Sequence, residues 1–291
     1  QRQMCIRDSY LGKSMAGKSK ITKQKFILQH KEFIGPNFIR LYLGRENIEE
    51  YLSMTCGSSC KLYFPPLEMC DKHFAKYNEK SGKWISASEK FKPKSRTYTL
   101  RKILPKNNQL VIDVANHGTQ GPGTRWANLA KVGDAIGVTM KNSSKKIAQK
   151  ADWYCLAADL TGLPVVSVIA ENLPSTAKGV MLIEVPSKED IHAIDTPLDI
   201  HWVVNPLVGA NSDLYKKLKK IEFPTKKKIN RFAYVASEST STKKIRTFFK
   251  ENLAWKRHEY FCTSHWKLGK EERNAIEKCY KKTESIELIS L

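Results

Sequence analysis

Residues 95–103 read SRTYTLRKI, and residues 117–126 read HGTQGPGTRW. The first stretch alternates between polar and apolar or aromatic side chains, a pattern typical of a β-strand. Side chains two positions apart share one face of a strand, so Arg96 and Tyr98 are predicted to point the same way. A guanidinium group beside a phenol ring suits a ligand that carries both a phosphate and a flat heterocycle.

The second stretch predicts a strand end, a turn of glycine and proline, and a helix that opens at Thr124, its expected N-cap. Backbone N–H groups at a helix opening lack partners within the helix, and the helix dipole favours negative charge there. We expect the N–H groups of residues 124–126 to contact a diphosphate, with Arg125 or Arg101 helping to neutralise its charge. Together the two stretches predict a pocket for a flavin dinucleotide.

Further motifs make the pattern more specific through their order and spacing. They are Arg96-x-Tyr98-Thr99, His117-Gly118-x-x-Gly121-Pro122, Asp159-x-Thr161-x-Leu163-Pro164, Glu184-Val185-Pro186, His201-Trp202 and Trp266-x-x-Gly269-x-x-Glu272. From about Phe26 to Glu272 the chain resembles the siderophore-interacting proteins, a branch of the ferredoxin-reductase-like flavoproteins. The resemblance implies an FAD-dependent oxidoreductase that reduces ferric siderophores to release Fe(II), with NADH, NADPH or ferredoxin as the electron donor.

The periodicity of the chain changes near residue 150. Short strand patterns fill the first part, and strands alternate with helices in the second, which predicts an antiparallel barrel followed by a parallel sheet covered on both faces. With the resemblance, the expected fold is two-domain β + α/β: an antiparallel six-stranded β-barrel FAD domain, then a parallel-sheet α/β nucleotide-binding domain of ferredoxin-reductase-like type. The expected segments are a non-native extension (1–14), a basic tail (15–25), the barrel (26–140), a linker (141–151) and the NAD(P)H-binding domain with its C-terminal helix (152–291).

Individual elements follow from the same patterns. The predicted strands cover residues 38–43, 61–64, 95–103, 109–115, 134–140, 153–158, 180–185, 200–204, 231–236 and 258–263. The predicted helices cover residues 163–171, 188–194, 211–220, 240–252 and 270–281. Trp126, Leu129 and Val132 follow one another at helical spacing and are expected to pack in the core. Residues 66–93 form a long lysine-rich connection without a clear period.

The resemblance also assigns site residues. The predicted cofactor-binding residues are Arg96, Thr97, Tyr98, Thr99, His117, Gly118, Gly121, Gly123, Thr124, Arg125 and Thr161. Tyr98 is expected to stack on the flavin ring, and Thr161 to cap the helix that follows it. Lys61 and Lys267 are expected to attract an anionic substrate, whereas no residue is assigned to acid–base catalysis or to a metal.

Structural alternatives remain open for several of these residues. Tyr98 could be a core tyrosine, Arg96 could pair with Glu89, and His117 could simply be a polar residue at a strand end. Asn205 stands where the family usually has arginine, which weakens any preference for NADPH over NADH. Ala158 and Leu160 also depart from the family pattern and put pyridine-nucleotide use in some doubt.

Charge and cysteine content limit the partners. The chain has 291 residues and a formal net charge of +21, but its lysines are scattered and no helix-turn-helix or zinc-finger spacing accompanies them, so nucleic acid is not an expected partner. The charge fits solubilising surfaces or a basic entrance for anionic chelates. Cys56, Cys60 and Cys70 lack the paired spacing of a metal site, and reduced thiols are expected.

No apolar run approaches the ~20 residues of a membrane span, and residues 1–9 contain no apolar stretch of signal-peptide type. We therefore expect a cytoplasmic monomer. Two other functions stay open at this point: electron transfer between NAD(P)H and ferredoxin or flavodoxin on the same fold, and non-enzymatic binding by a basic protein.

Overall fold

The computed structural model describes residues 21–66, 76–78, 83–85, 92–116, 121–141, 146–207, 209, 212–225 and 229–269. The first eight strands are β1 (Ile21–Gly35), β2 (Phe38–Gly44), β3 (Ser59–Phe64), β4 (Lys76–Asn78), β5 (Lys83–Ile85), β6 (Lys94–Leu104), β7 (Gln109–Ala115) and β8 (Ala135–Lys141). Six of them close an antiparallel barrel in the order β1-β2-β7-β6-β3-β8, while β4 and β5 pair with each other. A short helix α1 (Glu49–Leu52) precedes β3, and α2 (Pro122–Leu129) follows β7.

The barrel forms because alternate side chains of each strand are apolar and point inward. Leu41, Leu62, Ile112 and Val138 are fully buried in one core cluster. Closure pairs each of the six barrel strands on both sides, so the barrel itself leaves no sheet edge open. The core position of Trp126 is confirmed, because this residue is buried in the same cluster.

The same prediction was wrong for Leu129 and Val132, which are 55% and 69% exposed. The buried residues of α2 are Gly123, Thr124, Trp126 and Ala127. Leu129 is the last residue of this helix and Val132 lies beyond it, so the chain has already left the end of the barrel there.

The second domain contains a five-stranded parallel sheet in the order β11-β10-β9-β12-β13. Its strands are β9 (Trp153–Asp159), β10 (Lys178–Val185), β11 (Asp199–Val204), β12 (Arg231–Glu238) and β13 (Tyr260–Trp266). Helix α3 (Leu163–Glu171) covers one face, whereas α4 (Leu214–Leu218) and α5 (Ser239–Thr247) cover the other. Strand β9 is almost continuously buried because both of its faces are covered. Of the helices that the structure describes, none combines the length and hydropathy needed to cross a bilayer.

The predicted fold class is confirmed, but several elements differ. Strand β1 begins at Ile21, inside the segment predicted to be a basic tail, because residues 21–27 pair in register with residues 141–135 of β8. The prediction of a helix over residues 188–194 was wrong. Ser187 and Asp190 form a capping box around a single 3₁₀ turn, and the backbone is already extended at Ile191. The predicted helix over 211–220 shortens to α4, and α5 continues to Asn252 as a π-helical turn. The predicted helix over 270–281 lies outside the described residues.

Specific polar contacts join the two domains. Asp190 is fully buried and accepts hydrogen bonds from the backbone N–H and the side-chain Nδ2 of Asn37 in the barrel, both at 2.9 Å. Arg101 of β6 donates from Nη1 to Glu171 of α3 at 2.8 Å. Phe38 extends from the barrel into the core cluster of the second domain. The Asn37–Asp190 bonds hold the barrel against the carboxyl edge of the sheet, and the Arg101–Glu171 pair joins it to the far end of α3.

Candidate functional site

Strand β6 and the opening of helix α2 meet at one point. A Cβ atom placed on Gly123 would lie 1.9 Å from the hydroxyl oxygen of Tyr98, so only glycine permits the observed approach. Tyr98 is half-buried and packs edge-on against Phe64, with ring centroids 5.8 Å apart. The two stretches that predicted a shared pocket are therefore in contact.

The helix opens earlier than predicted. Its N-cap is Gly121 and its first residue is Pro122, so Thr124 is not the cap. Proline suits the first helical position because the missing N–H would have no partner there. The N–H of Arg125 already bonds to the carbonyl of Gly121 at 2.9 Å. The donors that the helix leaves for a ligand are therefore those of Gly123 and Thr124, not those of residues 125 and 126.

Arg96 lies on the same face of β6 as Tyr98. In the register of β3 and β6, Arg96 stands opposite Leu62, and Tyr98 stands opposite Cys60. Arg96 is half-buried, and its Nη1 donates to the carbonyl of Ser95 at 2.9 Å. Thr97 stands opposite Lys61, and its side chain is exposed.

Of the two arginines considered as counter-charges to a diphosphate, Arg101 is already engaged. It contacts Asp113 at 3.5 Å as well as Glu171. Arg125 is exposed in the first turns of α2 and remains the better placed of the two. Thr99 is buried on β6. His117, Gly118 and Glu89 lie outside the described residues.

A second cluster lies at the carboxyl edge of the sheet, around the buried carboxylate of Asp159. Its Oδ2 accepts from the backbone N–H of Glu238 at 2.7 Å and from Nε1 of Trp266 at 2.8 Å. Its Oδ1 accepts from the N–H and the hydroxyl of Thr161 at 2.9 and 2.6 Å. Thr161 was predicted to cap α3, but Gly162 is the N-cap residue, and Asp159 holds Thr161 in the preceding turn.

Glu184 is the penultimate residue of strand β10 and stands next to Asp159, its partner in register. The carboxylate accepts from the hydroxyl of Ser212 and the N–H of Asp213, both at 2.8 Å, and from Nδ2 of Asn205 at 3.2 Å. Burial raises the pKa of Glu184 above its ordinary value, although these three donors oppose the shift.

A cleft of about 50 Å³ separates this edge from the barrel. Its lining includes Asn37, Ala115 and Asn116 of the barrel and Asp159, Glu184, Asn205 and Trp266 of the sheet domain. The sheet order reverses between β9 and β12, and ligands of such sheets bind at this switch point, outside the carboxyl ends of the strands. Helix α2 borders the cleft, because its Thr124 hydroxyl donates at 3.4 Å to the carbonyl of Ala115, which is one of the lining residues.

The sequence motifs included Asp159, Glu184 and Trp266, but no role was assigned to them. One signal was available in the sequence: an acidic residue stands at the end of a buried, apolar strand. Burying a carboxylate costs free energy unless it has hydrogen-bond partners. The partners themselves are distant in sequence and could not be read from it.

Comparisons with known proteins identify the family of this chain. Residues 27–143 match the family model of the siderophore-interacting FAD-binding domain, and residues 151–269 match that of the siderophore-interacting protein. The chain belongs to the siderophore-interacting protein family. Among curated members, ferric vibriobactin reductase ViuB of Vibrio cholerae is 29% identical over 253 residues, which cover 83% of this chain and 88% of that protein. Ferric acinetobactin reductase of Acinetobacter baumannii is 25% identical and covers 64% and 65%.

Solved structures share the two-domain fold. The siderophore-interacting protein SipS from Aeromonas hydrophila superposes with a TM-score of 0.70 at 22% identity, covering 90% of this chain and 96% of that one. A siderophore utilization protein from T. fusca gives a TM-score of 0.71 at 24% identity, covering 87% and 96%.

The described residues fit an FAD molecule. A half-buried phenol offers an aromatic face, a guanidinium lies on the same side of the strand, and glycine keeps the helix opening free of a Cβ atom. These groups match a flat ring and a diphosphate.

Gly123→Ala should disturb FAD binding more than folding. The added methyl group meets the hydroxyl end of Tyr98, which can swing away, so we expect a stability loss of only about 1 kcal/mol. We expect FAD affinity to fall roughly tenfold as the ring leaves its position. Fluorescence titration with FAD and thermal unfolding measure the two effects.

The double variant Tyr98→Phe/Gly123→Ala tests the contact itself. Removing the hydroxyl relieves the 1.9 Å approach, so part of the stability loss should return. Strictly additive effects of the two substitutions would show that the two residues are not coupled.

Proposed function

We propose that this protein is an FAD-dependent oxidoreductase that reduces ferric siderophores, releases Fe(II) for iron acquisition and takes its electrons from NAD(P)H. Relatives that span most of the chain carry the names ferric vibriobactin reductase and ferric acinetobactin reductase. The observation that carries the proposal is the contact of Tyr98 with the opening of α2, beside a cleft that both domains line.

The barrel residues hold and orient the flavin. Tyr98 packs against one face of the ring, Arg96 pairs with the diphosphate, and the N–H groups of Gly123 and Thr124 bind the same phosphates. Bound FAD supplies the conversion from a two-electron donor to a one-electron acceptor, which the reduction of ferric iron requires. One NAD(P)H and two ferric ions then give NAD(P)⁺, one proton and two ferrous ions.

The sheet domain supplies the site for the electron donor. Asp159 ties the ends of β9, β12 and β13 together through Glu238 and Trp266, which keeps the carboxyl edge in one shape. The Asn37–Asp190 bonds keep this edge against the barrel, and the Arg101–Glu171 pair joins the two domains at the far end of α3. A dinucleotide held in the cleft would therefore lie beside the barrel residues that would hold the flavin.

Positive charge brings the substrate to the site. The chain carries a net charge of +21, and such a field raises the encounter rate with anionic chelates. Lys61 on β3 and Lys267 directly after β13 are the residues we assign to this attraction. Reduction of the bound iron needs no general acid or base, because the change in charge occurs at the metal ion of the substrate.

The state of the thiols supports a reducing compartment. Cys56, Cys60, Cys155 and Cys262 are free in the part of the chain that the structure describes, which fits a reducing cytoplasm. Burial raises the pKa of the Cys60 thiol to about 12, so this residue is poorly suited to bind a metal as a thiolate. We place the reaction in the cytoplasm and expect a monomer.

Purified protein loaded with FAD should be yellow and should be bleached by NADH or NADPH under anaerobic conditions. Addition of a ferric catecholate siderophore should restore the oxidised spectrum and produce two ferrous ions per donor, trapped with ferrozine. Ferredoxin and flavodoxin, tested in parallel, should accept electrons more slowly. Faster transfer to either protein would favour the alternative electron-transfer reductase, and a colourless protein that does not take up FAD would exclude both functions.

A further inference from the structure

The cleft at the carboxyl edge is acidic, although the chain as a whole is strongly basic. Asp159 and Glu184 line it, and no lysine or arginine is present among its described lining residues. The net charge of +21 makes this local absence of cations unusual. A ligand group that enters the cleft therefore meets fixed negative charge.

Glu184 is the penultimate residue of β10, the strand beside β9. In doubly wound sheets with a glycine-rich first turn, an acidic residue at the second strand accepts a hydrogen bond from the ribose 2′-hydroxyl of a dinucleotide. Here the first turn reads DLTG, whereas the acidic residue is present at the second strand. Three donors fix the orientation of this carboxylate, and a carboxylate offers about four acceptor positions. One position thus remains for a hydroxyl group of a ligand.

The residue after the third strand adds no positive charge. Asn205 follows β11, and its side chain donates to Glu184 at 3.2 Å. The residues from 205 to 213 read NPLVGANSD, which contains neither lysine nor arginine. A 2′-phosphate is normally accommodated by an arginine near this place.

We propose that Glu184 makes the cleft selective for NADH over NADPH, by accepting a hydrogen bond from the 2′-hydroxyl and by repelling a 2′-phosphate. This inference rests on the proposed function and names its electron donor. Like charges brought together in a partly buried site disfavour binding strongly, so the expected preference for NADH is on the order of 100-fold.

Redox-silent ligands test the selectivity without any turnover. ADP-ribose and 2′-phospho-ADP-ribose differ only in the 2′-phosphate, and calorimetry on the FAD-loaded protein at 0.15 M salt measures both affinities while general surface attraction is screened. Wild-type protein should bind ADP-ribose at least tenfold more tightly.

Two variants should change the ratio of the two affinities, that for ADP-ribose over that for 2′-phospho-ADP-ribose. Glu184→Gln removes the charge but keeps the local bonds, because its Oε1 can accept from Asn205 and Asp213 while Ser212 turns its hydroxyl to accept. It should lower the ratio at least fivefold, and Glu184→Gln/Asn205→Arg should lower it further or reverse it. Glu222→Gln, an exposed substitution of the same kind, should leave the ratio unchanged.

Equal wild-type affinities for the two ligands, or a ratio that Glu184→Gln does not change, would overturn the inference. The single variant decides the matter if the double variant does not fold. If neither nucleotide bleaches the flavin but photoreduced protein still reduces the ferric siderophore, the inference fails and the proposed function stands. If NADH bleaches the flavin selectively and no ferric chelate is reduced, the inference stands and the proposed function fails.

Discussion

Arg96→Ala is expected to weaken FAD binding by roughly 10- to 100-fold, the effect of losing hydrogen bonds to a charged group. The guanidinium lies on the same face of β6 as Tyr98 and is half-buried, so solvent does not fully replace it. Its Nη1 donates to the Ser95 carbonyl at 2.9 Å, and the midpoint of thermal unfolding of the apoprotein, measured alongside, separates a loss of affinity from a loss of folding. Titration of apoprotein with FAD, followed by quenching of flavin fluorescence, measures the affinity.

Two further variants separate the geometry of Arg96 from its charge. Arg96→Lys keeps the charge but loses the planar fork, so its affinity should lie between those of wild type and Arg96→Ala. Lys94→Ala removes an exposed charge two residues earlier on the same strand and should leave FAD affinity within about twofold, because exposed charges contribute little. If Lys94→Ala and Arg96→Ala weaken binding equally, a general field and not a specific contact holds the diphosphate.

Asp159→Ala is expected to destabilise the sheet domain by about 3–5 kcal/mol. The carboxylate is buried and accepts from Thr161, Glu238 and Trp266, and its removal leaves these donors without a partner in a place that water hardly reaches. The midpoint of thermal unfolding should fall by roughly 10 °C. Calorimetry measures this change, and Trp266 fluorescence reports the loss of its indole hydrogen bond.

Asp159→Asn should destabilise the sheet domain nearly as much, because its side-chain NH₂ group would face hydrogen-bond donors where a carboxylate oxygen now accepts. Asp195→Ala, which removes an exposed carboxylate of the same domain, should change the midpoint by about 1 °C or less. An Asp159→Ala variant as stable as wild type would mean that the network contributes no net stability and that the carboxyl edge is held by packing alone.

Elements with strong local signals were predicted correctly. Strand β7 and helix α3 have the predicted bounds, because an apolar run between turn residues and a Leu-Pro helix start depend on neighbours along the chain. The class of each domain also followed from periodicity. Strand β1 was missed because its alternating pattern contains many lysines and glutamines, and only pairing with β2 and β8 makes it a strand.

The residues of the predicted flavin site were chosen by type and spacing, and their assignment to the flavin stays a prediction, whereas their arrangement could not be read from the sequence. Thr124 looks like an N-cap from its sequence, yet Gly121 and Pro122 open the helix earlier, because proline suits the first helical position. The contact of Gly123 with Tyr98 is visible only in the tertiary structure. Thr161 likewise looks like a cap until Asp159 is seen to hold it.

By itself, the sequence determined the two domain classes, the strand that carries guanidinium and phenol on one face, and the helix opening that can receive an anion. These features depend on periodicity and on the backbone preferences of glycine and proline, which act over a few residues. The tertiary structure alone decided that Tyr98 reaches Gly123, that Asp159 binds an indole 107 positions away, and that Glu184 and Asn205 leave the cleft acidic. Such contacts arise only when sheet order and barrel closure bring distant segments together, and no local pattern encodes them.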